Sequence, residues 1–269
     1  FSQHLGPQGS LFIGTEYVIP GFYTQTGYQQ YFSVQGSALV TDILRDNWVL
    51  GEGAGISDMD LRRLMVELEQ LYFRDYANYW SEAVGQVALP PISDAGEGAE
   101  QLAGLTSANS PVLALLTEVR ENTRFEATAD PVDEAGDAAD ALAGQKGKLG
   151  KVGKLASAVA DKASALSVAK SLPDTAKKSL QRRFEPLHRL LDDNNGPAAD
   201  LTPALSALND LQLQLSGLAR SSTPEQAAFE MAKTRMSGQR DALTNLRNAS
   251  SRLPRPLSVW FNVLAEDSW

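Results

Sequence analysis

The chain has no cysteine. That absence excludes disulfides, thiolate nucleophiles and thiolate metal sites together. It also suits an oxidising compartment, where a stray thiol is a liability. Histidine is nearly as scarce, with only His4 and His188 among 269 residues. Nucleophilic catalysis needs a base beside the nucleophile, and zinc needs three or four ligands at matched spacing. Neither can be assembled here, so no catalytic, cofactor or metal residues are assigned. His4 lies in a loose N-terminal arm. His188, with Glu185 and Asp192 at helical spacing, reads as a surface or capping histidine. Positive charge is also short: the formal charge is −9, which works against a general nucleic-acid binder. No apolar run approaches the ~20 residues that span a bilayer, and no signal peptide is visible. Strand signals are few, because β-branched residues are sparse and no hairpin dipeptide separates alternating runs.

What remains is the composition of a folded helical protein, 43% hydrophobic and 21% charged. The first 35 residues are rich in aromatics and turn formers. Pro20-Gly21 marks a turn, Val18-Ile19 before it reads as a short strand or extended arm, and a helix is expected from about Gln25 to Asp46. Gly51, Gly53 and Gly55 then break the chain. Ser57 can cap the next helix, whose Leu61, Leu64, Met65, Leu68, Leu71, Tyr72, Tyr76 and Tyr79 fall at helical spacing, with Arg62, Arg63, Glu67, Glu69 and Arg74 on the other face. Pro90-Pro91 ends it. Ser110-Pro111 restarts a helix with Leu113, Leu116 and Val119 as its stripe. A leucine run from Leu201 to Leu218 marks another, set off by the turn Asn194-Asn195-Gly196-Pro197. Thr223-Pro224-Glu225-Gln226 is a capping box opening a helix whose apolar side runs from Ala228 to Leu246. Pro254 and Pro256 precede a last amphipathic stretch, Leu257 to Leu264. The sum is about eight helices.

The middle differs. Residues 126–140 carry Glu126, Asp130, Asp133, Glu134, Asp137 and Asp140 and no base. Gly144, Gly147, Gly150 and Gly153 then recur among lysines. The plain reading is a flexible linker running into an alanine-rich helix; contact with anionic polymers or a membrane surface is the alternative. A Walker A loop is excluded, because Gly147-Lys148 and Gly153-Lys154 are followed by leucine where a hydroxyl must reach magnesium. Asp192-Asp193-Asn194-Asn195 lacks the alternate ligands and late glutamate of a calcium loop and reads as a helix end and a turn. No apolar pocket-forming sequence surrounds the acidic run to separate its pKa values.

Several segments resemble the TssM/IcmF proteins of type VI secretion systems. They are Ile19-Pro20-Gly21-Phe22-Tyr23-Thr24-Gln25-Thr26-Gly27-Tyr28, then Tyr72-Phe73-Arg74-Asp75-Tyr76 through Trp80, then Ser110-Pro111-Val112 with Val119 and Thr123, then Phe184-Glu185-Pro186-Leu187, and Leu253-Pro254-Arg255-Pro256-Leu257 with Trp260. They occur in the family's order. The resemblance implies the periplasmic portion of an inner-membrane protein, with no enzymatic activity, no cofactor and no small-molecule substrate. It implies as partners the outer-membrane lipoprotein TssJ, docking mainly on a downstream domain, other inner-membrane subunits such as TssL, and further copies of the same chain. The opening at Phe1 and close at Trp269 fit a fragment of such a protein.

The expected fold is mainly α, a multi-helix bundle or elongated helical array with a short aromatic, partly extended N-terminal arm. Residues 1–125 would form the arm and a first helical subdomain, 126–170 a flexible segment or insertion, and 171–269 a second helical subdomain. The expected role is a structural pillar between membranes. A helical adaptor outside secretion and a cell-wall-acting enzyme are the alternatives. Exposed aromatics mark interfaces, so Phe22, Tyr23, Tyr28, Trp260, Phe261 and Trp269 are the interface candidates, against the reading that they cover this chain's own core.

Overall fold

Aspartate, proline and glycine mark several of the helix starts and ends. A computed structural model of the chain describes residues 5, 9–36, 38, 58–125, 174–238 and 241–268. Among these are eight helices of nine residues or more and no strand. They are α1 (Asp58–Gln86), α2 (Ala95–Thr106), α3 (Pro111–Thr123), α4 (Thr175–His188), α5 (Thr202–Ala219), α6 (Pro224–Met236), α7 (Ala242–Ser250) and α8 (Leu257–Asp267). The fold is mainly α, as the periodicity predicts. The Ser57 cap, the Gly51–55 break, the acidic run at 126–140, the Gly/Lys stretch, His4 and Trp269 lie outside the described residues. So does the later part of the helix expected from Gln25 to Asp46. Its described beginning is a short α turn, Gln25–Gly27, followed by a π-helical turn, Tyr28–Phe32. Val18 and Ile19 form no strand.

Two aspartate caps start helices that periodicity alone misses. Asp94 accepts from the N–H groups of Gly96 and Glu97 at 2.8 and 2.9 Å. Asp241 accepts from the N–H and hydroxyl of Thr244 at 2.9 and 2.8 Å. Such caps satisfy N–H groups that a helix start leaves unpaired, each worth about 1 kcal/mol. The second cap explains a correction. The apolar run from Ala228 to Leu246 is two helices, not one, because Gly238 takes a left-handed φ of 79° after α6 and Asp241 restarts the chain as α7. Pro224 is the first residue of α6 as expected, but the Thr223 hydroxyl makes no capping hydrogen bond.

Contacts gather the chain into two units, one of Phe1–Ile19, Tyr79–Asn122 and Arg182–Trp269, the other of Pro20–Asn78 and Thr123–Gln181. In the first, α2 and α7 pack on α5, and α8 packs on α7. Leu102, Leu105, Leu116, Leu208, Leu246 and Phe261 are among its fully enclosed side chains. Burying each leucine is worth about 1.5–3 kcal/mol, which is why these short helices need one another. The arm enters this core at Phe12, whose ring lies 5.1 Å from that of Trp260. Beside it the Ile13 N–H donates to the Ala88 carbonyl at 2.9 Å, and the Ala88 N–H returns the bond at 3.0 Å. The turn after α4 is closed by Asp192 Oδ1, which accepts from the N–H groups of Asn194 and Gly196 at 2.8 and 2.7 Å. Arg120 spans that turn, donating to the Leu191 and Asp192 carbonyls and to the Asn195 amide oxygen.

Three details of burial correct the sequence reading. In α1 the buried residues include Met65, Glu69, Tyr72, Phe73, Tyr76, Ala77 and, nearer its end, Trp80, Ala83 and Val84, while Leu64 and Leu71 are exposed. In α3 the enclosed stripe is Val112, Leu115, Leu116 and Val119, with Leu113 only half-buried. His188 is the last residue of α4 but is 8% exposed, so it is a buried and not a surface histidine.

Candidate interface surface

The second unit is organised around Tyr72. Its hydroxyl donates to the Phe22 carbonyl at 2.6 Å. The Phe32 ring stacks on it at 4.0 Å, and the Tyr23 ring stacks at 5.4 Å. Phe22 meets it edge-on at 5.0 Å. The Pro20-Gly21 turn makes this possible, because it folds Phe22 and Tyr23 into a short 3-10 turn that lays both rings beside α1. The Thr24 hydroxyl then accepts from the Gly27 N–H at 3.0 Å and starts the next turn. Burial pushes the Tyr72 phenol far above its ordinary value, with Tyr28 and Tyr23 adding to the effect. It is therefore a hydrogen-bond donor at every physiological pH.

Outside this cluster lies an apolar groove of about 340 Å³, lined by Phe22, Tyr31, Phe32, Leu68 and Leu71 with Asp75 among the polar residues. Phe22, Tyr31 and Leu71 are exposed there. On the inner side, Tyr28 packs on Phe73 at 5.3 Å and edge-on against Phe125 at 5.2 Å. The Lys177 ammonium sits 5.2 Å above the Tyr28 ring and 3.3 Å from an Asp174 carboxylate oxygen. Glu69 lies in the same electrostatic neighbourhood. Burial raises its carboxyl pKa, Lys177 opposes that rise, and Asp174 adds to it. For Lys177, burial acts downward but is outweighed by the Tyr28 hydrogen bond and the Glu69 and Asp174 charges, so its pKa is raised. Two carboxylates and one ammonium thus share a largely enclosed site. Removing the cation would take away the ammonium that pairs with Asp174 and opposes the rise of the Glu69 pKa.

The interface candidates divide by place. Phe22 is exposed at the groove, and Tyr23 and Tyr28 are half-buried in the Tyr72 cluster. Trp260 is 4% exposed and Phe261 is 0% exposed, both within the core of the first unit. Trp269 lies outside the described residues. Tyr31 and Leu71 complete the exposed apolar surface beside Phe22; Leu71 was expected on a buried stripe, whereas Tyr31 falls among the aromatics of residues 12–32 expected to mark an interface. Among the described residues no group of three or more histidine or carboxylate side chains is placed to hold a metal ion.

The family model described as "IcmF-related: Intracellular multiplication and human macrophage-killing" matches residues 1–124. That match spans just under half of the 269 residues and agrees with the TssM/IcmF resemblance. It is also 29% identical over 105 residues to the type VI secretion system component TssM1 of Pseudomonas aeruginosa, a match covering 39% of this chain and 9% of that protein. The chain therefore corresponds to a small part of that relative's length. No solved structure matches it significantly.

Proposed function

We propose that the chain is a structural, non-enzymatic part of a TssM-like component of a type VI secretion membrane complex. In this reading it lies in the periplasmic portion of an inner-membrane protein and helps bridge to the outer membrane. The observation that carries the reading is the IcmF-related match over residues 1–124, supported by the similarity to TssM1. The helical cores suit a spacer, since packed helices hold a fixed length. Among the described residues no helix is long and apolar enough to cross a membrane, so anchoring falls to other parts of such a protein. The partners would be the lipoprotein TssJ, TssL-like inner-membrane subunits and further copies of the chain.

The test is co-purification of the same organism's TssJ-type lipoprotein with the intact gene product and, separately, with the 269-residue chain. Capture by the intact protein alone supports a spacer whose lipoprotein site lies elsewhere. Capture by both places the site within this chain. Capture by neither defeats the bridging role. A cysteine introduced at exposed Ser251 in the intact protein, and labelled in whole cells by a maleimide that does not cross the inner membrane, tests location. Labelling only after inner-membrane lysis overturns the periplasmic reading.

A further inference from the structure

The first unit holds a second groove, of about 520 Å³, independent of the proposed function above. Its floor is apolar: Val84 and Val87 from the end of α1 and just beyond it, Leu187 from α4, and Trp260 from α8. These side chains are buried but line the cavity, and Val259 on the rim is 44% exposed. Trp260 is held in place by its indole N–H, which donates to the Val87 carbonyl at 2.9 Å. The lining also includes Pro186, Pro254 and Pro256 together with Arg183 and Arg255. Two arginines and no carboxylate line this groove, in a chain whose net charge is −9. Glu185, on the same helix turn, is engaged by Arg189 at 2.6 Å.

We propose that this groove is a docking site for an acidic peptide segment of a partner protein, with an aliphatic or proline side chain on the Val87–Trp260 floor and a flanking carboxylate on Arg255. Three observations favour a peptide. The cavity accommodates a few side chains, and the cationic side chains lining it are two arginines, Arg183 and Arg255, too few for a broad cationic plane. The lining prolines offer no N–H donors, so recognition rests on side-chain burial and charge. The overall negative charge opposes an anionic membrane surface. Screening over about 8 Å at physiological salt lets the local arginines act on a short peptide despite that charge. Guanidinium pairs with carboxylate through two parallel hydrogen bonds, which gives the site preference for acidic over neutral flanks.

The test uses the full chain and a panel of fluorescein-labelled twelve-residue peptides, each with a central Leu-Pro-Val and flanks of aspartate, serine or lysine. Fluorescence anisotropy should show the aspartate peptide bound at least tenfold more tightly than the serine peptide, the lysine peptide unbound, and the difference shrinking as salt rises. Arg255→Glu should abolish the acidic preference. Arg220→Glu, an equal charge change outside the groove, should leave it intact. Val259→Asp should weaken all peptides. Circular dichroism identical to wild type confirms that these surface variants fold. Binding unaffected by flank charge or by Arg255→Glu, binding to phosphatidylglycerol vesicles in place of peptides, or no peptide binding at all overturns the proposal.

Discussion

Trp260 and Val87 are 173 positions apart in sequence and joined by one hydrogen bond, indole N–H to backbone carbonyl, at 2.9 Å. Val87 directly follows α1, so its carbonyl belongs to a helix end, where no intrahelical donor is available. The indole supplies that donor while its rings pack against Phe12. Trp260→Phe keeps most of the apolar area but leaves a buried carbonyl without this partner. A loss of about 1–3 kcal/mol follows, and Trp260→Ala should cost about 3–5 kcal/mol. Urea unfolding followed by helical circular dichroism measures both. Equal losses in the two variants would show that the hydrogen bond, and not the ring, dominates.

Tyr72→Phe isolates the corresponding bond in the second unit. The ring stack with Phe32 survives, but the Phe22 carbonyl loses its donor. The expected destabilisation is about 1 kcal/mol. Hydrogen exchange should speed up in residues 21–32 more than in α5, because the bond ties that segment to α1. Uniform acceleration across both segments would mean that the segment does not open separately.

How far the sequence reveals this arrangement depends on which force decides each feature. Helix identity is local: the spacing of Met65, Tyr72 and Tyr76, the proline starts at Pro111 and Pro224, and the turn at Asn194–Pro197 are all visible in the chain. The break at Gly238 is less so, because the apolar period continues across it while Met236 ends up 83% exposed. Burial of Glu69 and His188 depends on residues brought in from distant parts of the chain, and a single helical wheel puts both polar groups outside. For the candidate surface, aromatic content points to Phe22 and Tyr23. It cannot separate them from Trp260 and Phe261, since an interface anchor and a core side chain have the same chemistry. Only the fold decides which ring faces outward.

Glu69 makes stability depend on pH. Burial raises its pKa above the ordinary 4.5, so the folded state holds the proton more tightly than the unfolded state. Its contribution is fully present below 4.5 and is lost as pH rises through the raised value. Lys177, with its pKa raised from 10.5, stays charged throughout this window. Glu69→Gln should therefore be more stable than wild type at pH 8, with the advantage closing towards pH 4. Thermal melts at the two pH values check the sign; an advantage that grows towards pH 4 would contradict it. Lys177→Met should act oppositely at pH 8, lowering stability by about 1–3 kcal/mol, because it removes the ammonium that pairs with Asp174 and acts on Glu69.

Gly14 offers the sharpest backbone test. Its φ is 74°, and a Cβ built there would overlap the carbonyl oxygen of Gln86. Both facts follow from the Ile13–Ala88 pairing next to it, which draws the arm against the end of α1. A left-handed φ alone costs a residue with a side chain about 1–2 kcal/mol, and the overlap forces the arm to move in addition. Gly14→Ala should lose more than that, and should do so by releasing the arm. Phe12 would then leave Trp260, so tryptophan fluorescence should shift to the red before the helical signal melts. Gly21→Ala is the matched control, since a Cβ there meets nothing within 4 Å, and it should fall within about 0.5 kcal/mol of wild type. If Gly14→Ala also stays within that range, the arm is not held by the Ile13–Ala88 pairing.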